Sequence, residues 1–151
     1  MPPRGYWLTV ALVAVAFVAL VAYWVVWFFV DRAVLASDTT DSYYAFENAF
    51  PAADGWLAAA CAATAWTLVK RRRSALFWLL IGGSSAIYLG LLDVLFDLEN
   101  GIYQAPTGDW GAVGTELVIN VYSLGVGAWA LAFGWRNRAW LLGEPNGSAR
   151  L

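Results

Sequence analysis

No charged residue lies between Arg73 and Asp93, and Asp97, Glu99 and Asn100 then follow Asp93 at once. On a helix, Asp93, Asp97 and Asn100 share one face at i, i+4 and i+7. Glu116, Asn120, Ser123 and Gly127 form a second stripe, at i, i+4, i+7 and i+11. Carboxylates gathered in apolar surroundings without Lys or Arg cannot all stay ionised cheaply. They take up protons or bind a cation. The chemistry on offer is therefore cation or ammonium binding, or proton transfer between carboxyl groups.

Composition removes most competing chemistries. The chain has no His and a single Cys61, so an internal disulfide, a dithiol redox centre, the usual zinc sites and His-based acid–base catalysis are excluded. Cys61 sits among alanines and reads as a small packing residue. No phosphate loop, nucleophile elbow or basic nucleic-acid surface is present, and no cofactor is expected.

The elements that must position these residues are set by hydropathy. Hydrophobic residues make up 61% of the 151-residue chain and charged residues 13%, against about 25% charged in soluble domains. Apolar runs cover about residues 7–30, 51–69, 75–96 and 112–135, each near the ~20 residues needed to cross a bilayer. Unpaired backbone groups are not tolerated in lipid, so each run is read as a helix. The expected fold is an all-α membrane protein, a four-transmembrane-helix bundle forming one domain over residues 1–140, with a flexible tail at 141–151. The first run is too long for the apolar part of a cleavable signal and is expected to be retained.

Charge sets the orientation. Arg4, Lys70, Arg71, Arg72, Arg73, Arg136, Arg138 and Arg150 fall on one side, which the positive-inside rule makes the cytoplasm. Both termini are then cytoplasmic. Glu144 is the one acid on the cytoplasmic side, and the other side holds ten acids against Arg32 alone, so the two faces carry about +7 and −9 and sum to the net −2. Trp24, Trp27, Trp56 and Trp110 are expected in an outer aromatic belt, with Trp7, Trp66, Trp78, Trp135 and Trp140 in an inner one. Residues 38–54 are expected to form a short interfacial helix capped by Asp41 or Ser42, with Pro51 starting the next helix. Residues 99–111, with Gly101, Pro106, Gly108 and Gly111, read as a turn-rich loop.

Depth brings the polar residues together. At 1.5 Å per residue, Asp93, Glu116 and Asp54 all fall near the outer boundary. Gly82, Ala86 and Gly90 repeat every four residues as a ridge for close helix contact. The expected site is an outward-facing acidic pocket with Asp93, Asp97, Glu116, Asn120, Asp54, Asn100 and Tyr103 as ligand-binding residues, and Tyr44, Tyr88 and Tyr122 as further lining. Three functions remain open. The first is a cell-membrane protein binding a cation or a cationic amine, as a transporter or sensor. The others are an accessory subunit, partnered by a membrane protein or by its own copies, and a carboxylate-based lipid isomerase or cyclase. Beyond such partners only the lipid bilayer is implied, and no nucleic acid. The orientation predicts that in intact cells a C-terminal tag stays hidden from an impermeant antibody, while a tag inserted at Gly108 is reached. The opposite pattern would overturn it.

Overall fold

A computed structural model describes residues 1–105 and 108–144 of the chain. Pro106 and all but the first residues of the expected tail lie outside the described residues. Within them every regular element is helical: α1 Tyr6–Val26, α2 Asp41–Glu47, α3 Pro51–Val69, α4 Ala75–Glu99, α5 Trp110–Arg136 and α6 Arg138–Leu142, with 3-10 turns at Arg32–Val34 and Ile102–Gln104. Four helices, containing α1, α3, α4 and α5, are long and apolar enough to cross a membrane. The expected four-helix, all-α architecture is what forms.

Local chemistry explains the ends. Thr40, rather than Asp41 or Ser42, caps α2 by accepting from the Tyr43 N–H at 3.3 Å. Thr40 takes the cap because its backbone is extended while Asp41 and Ser42 are already helical. Pro51 opens α3, where a missing N–H costs nothing. The Asp109 carboxylate caps α5 by accepting from Gly111 and Ala112 N–H. α4 runs three residues beyond its expected end, and Gly101 then turns the chain at φ 68°. The first span, expected helical to residue 30, changes to one π turn over Trp27–Asp31, within which Trp27 is buried and its indole N–H donates to Asn48 Oδ1 at 3.1 Å.

The bundle is a chain of contacts. α1 packs on α3, α3 on α4 and α4 on α5, while α1 meets α5 only sparsely. At the end carrying Lys70–Arg73, Tyr6, Leu68, Leu79 and Phe133 form one buried cluster, and the Tyr6 hydroxyl donates to the Leu68 carbonyl. At the acidic end Trp27, Tyr43 and Ile102 form another. Trp56 and Trp78, assigned to opposite belts, instead have ring centroids 6.4 Å apart.

α4 and α5 touch through their backbones. A Cβ on Gly83 would stand 2.9 Å from the Gly127 carbonyl oxygen, and one on Gly127 would stand 2.8 Å from that of Gly83. The Gly82 member of the expected ridge faces Ala60 of α3 instead, with ordinary clearance of 3.6 Å. This difference between adjacent glycines yields a matched test. Gly83→Ala is expected to lower stability by about 1–3 kcal/mol through overpacking. Gly82→Ala should be neutral or slightly stabilising, because it removes helical glycine entropy. Thermal unfolding of both variants in one detergent checks the contrast.

Candidate functional site

The α4–α5 contact aligns the two polar stripes. Going toward the acidic end, Ser123 Oγ donates to the Ala86 carbonyl at 2.9 Å, and Gly90 packs on Ser123 and Leu124. One turn further, Asn120 Nδ2 donates to Asp97 Oδ2 at 2.9 Å and to the Tyr103 hydroxyl oxygen, also at 2.9 Å. Asp93, Asp97 and Glu116 each place a carboxylate oxygen within 4.8 Å of the others. Asp97 is 2% exposed and Asn120 3%.

The remaining partners come from the first part of the chain. Ser37 Oγ and the Tyr43 hydroxyl both donate to Glu116 Oε1, the latter at 3.3 Å, while the Ser37 N–H donates to that same hydroxyl oxygen at 3.1 Å. Across the bundle the Tyr23 hydroxyl donates to Glu47 Oε2 at 3.1 Å, and the Trp24 indole N–H donates to Asp54 Oδ2 at 3.0 Å. All these donors are neutral. The acids that share this end of the bundle with Asp93 are Glu116, Asp97, Glu47 and Asp54. Arg32, the basic residue that follows α1, stacks on the Tyr44 ring at 4.2 Å. Burial, with the Asp97 carboxylate beside it, pushes the Tyr103 hydroxyl up to about 12, so it remains protonated at neutral pH.

Two acceptors are left over. Asn120 commits both amide hydrogens to Asp97 and Tyr103, and its buried Oδ1 has no partner among the described residues. The Asp93 side chain likewise accepts no hydrogen bond from any of the side chains that complete this network. Both residues line a cavity of about 340 Å³ bounded by α1, α3, α4 and α5, whose polar end also includes Glu47 and Asp54. The rest of its wall is mainly apolar and small, with Leu57, Cys61, Ala86 and Leu89 among the contributors. Such a site can hold a hydrogen-bond donor or a positive charge at one end and an apolar body at the other.

Of the residues expected at the pocket, Asp93, Asp97, Glu116, Asn120 and Tyr103 converge. Asp54 stands at the cavity's polar end, tied to Trp24. Asn100 is not brought in: it is exposed, and its amide donates to the Phe96 carbonyl of its own helix at 2.9 Å. Tyr122 lines the cavity, whereas Tyr88 is exposed away from it. Glu47, Ser37, Tyr43 and Tyr23 were missed as site residues. A signal existed for two of them, since Tyr43 and Glu47 share one face of α2 at i, i+4 and are its two buried residues. Asn120→Ala leaves Asp97 without its amide donor and is expected to destabilise by about 1–3 kcal/mol, whereas Asn100→Ala should change the unfolding midpoint little. Equal losses for the two variants would contradict this account of the network. Compared with protein-family models, with curated proteins and with solved structures, the chain matches none.

Proposed function

We propose that this protein binds a cationic ligand, in particular an amine, in an acidic pocket that faces outward from the cell membrane. The observation that carries the reading is the buried, unpartnered Asn120 Oδ1 on the cavity wall, with the half-buried Asp93 carboxylate lining the same cavity. A buried acceptor left without a donor costs about 1–3 kcal/mol, and a half-buried carboxylate set among other acids gains from a nearby positive charge. One ammonium group relieves both, because it offers hydrogen-bond donors together with a positive charge. The separation of basic and acidic residues along the sequence supports an outward-facing acidic end.

An amine fits better than a divalent metal. Calcium takes six to eight oxygen ligands and magnesium demands near-octahedral geometry. The cluster offers three carboxylates and one amide oxygen, and Asp97 and Glu116 already accept from Asn120, Ser37 and Tyr43. The bundle near Lys70–Arg73 carries no acid to pass an ion onward, which favours binding over relay.

Thermal unfolding of the purified protein with propylamine, calcium chloride or sodium chloride tests the reading. Propylamine is expected to raise the midpoint in a saturable manner, and Asp93→Asn should abolish that rise. A variant stabilised as much as the native protein would sink the proposal. Stabilisation by calcium but not by propylamine would replace the amine with a metal ion.

A further inference from the structure

The cavity is much larger than an ammonium group, and its wall is incomplete on one side. At roughly 30 Å³ for each water-sized group, 340 Å³ leaves room for roughly ten groups beyond the head. Val15 and Ala19 of α1 and Val118 and Ile119 of α5 line this cavity, yet all four are exposed on the outside of the bundle. Val15 is 55% exposed and Val118 69%. They stand at the edge of the wall, where the cavity lining meets the outside of the bundle.

The opening lies between α1 and α5, which among the packed pairs of spanning helices meet most sparsely. Their side-chain hydrogen bonds are Tyr122 to the Leu12 carbonyl at 2.8 Å and Trp129 to Thr9 Oγ1 at 2.9 Å. Along α1, both lie on the basic side of Val15 and Ala19. Toward the acidic end the next tie to α5 comes from Ser37 and Tyr43, after α1 has ended, through Glu116. The gap is thus framed above and below, at a level where both helices present apolar side chains outward. At the acidic end α2 buries its Tyr43 and Glu47, while Asp54 and Asp93 stay partly exposed to water-sized ligands.

We infer that the ligand is an amphiphilic amine, a single apolar chain or compact apolar body with one ammonium head, which enters sideways from the bilayer between α1 and α5. The inference rests on the amine-binding reading and specifies the ligand's other half and its route. The head pairs with Asp93 and Asn120 Oδ1, and the apolar body lies along Leu57, Ala86 and Leu89. Transfer from lipid into an apolar cavity gains little by itself, since lipid tails are as apolar as the wall. Selection therefore falls on the head, and the tail decides the route.

The test uses the full chain in phosphatidylcholine nanodiscs, with binding followed by intrinsic tryptophan fluorescence. The probes are dodecylamine, dodecanol and propylamine. Two variants narrow the gap from opposite walls, Ala19→Phe and Val118→Phe, so that one remains informative if the other fails to fold. Dodecylamine is expected to bind the native protein and dodecanol to fail at the same mole fraction in lipid. The gap variants should slow dodecylamine association at least about tenfold, with propylamine association from water unchanged. Asp93→Asn should weaken both amines by at least about tenfold. If the gap variants take up dodecylamine at the native rate, or lose propylamine equally, the lateral route is overturned while amine binding stands. If dodecanol binds as well as dodecylamine, or Asp93→Asn changes nothing, the amine reading itself fails.

Discussion

Where α4 crosses α5, neither helix has room for a single methyl group. The carbonyl oxygens of Gly83 and Gly127 occupy the space that each other's side chain would need. Helices that meet through their backbones have little freedom to slide, because any shift in register drives a larger residue into the contact. The register fixed there carries outward through Gly90 against Ser123 and then Asp97 against Asn120. The acidic end thus inherits its geometry from an apolar contact several turns away.

Charge is handled there in an uncommon way. A buried carboxylate is ordinarily neutralised by Arg or Lys, which would supply donors and cancel the field together. In this bundle hydroxyl, indole and amide donors from Ser37, Tyr43, Tyr23, Trp24 and Asn120 satisfy oxygen lone pairs without supplying a positive charge. The site is held in shape without a counter-ion of its own. The carboxyl groups are thus fixed in place by neutral donors, and preorganisation of this kind lowers the cost of ordering a polar site.

Helical spacing and depth were enough to find the α4 and α5 half of the cluster from the sequence. Asp93, Asp97, Glu116 and Asn120 stand on regular helices whose length and ends are governed by hydropathy, so their faces and levels follow from residue number. Asn100 fell outside because α4 ends there, and at the last turn an amide can satisfy its own helix. Glu47 and Ser37 were not legible as site residues. They lie in the connection between α1 and α3, where a 3-10 turn, a Thr-capped helix and an Asx contact at Asp31 set the path of the chain. Tyr43 rather than Tyr44 faces the cluster for the same reason, since a cap displaced by one residue rotates a seven-residue helix by a full side-chain position. The glycine ridge was read correctly as a contact surface. Whether Gly82 or Gly83 carries the close approach depends on helix rotation, which hydropathy on a nearly uniformly apolar helix does not specify.

The irregular outer end of the first span has a consequence of its own. The α-helical part of α1 has 21 residues and spans about 32 Å, after which a π turn and a 3-10 turn carry the span on to Val34, 29 residues in all against 27 for α5. α1 is anchored to α3 along its length but to α5 through two side-chain bonds near one end. The segment that closes over the acidic end, Trp27 to Ser37, is therefore positioned by its side-chain bonds to Asn48 and Glu116 and not by contact of one long helix with α5.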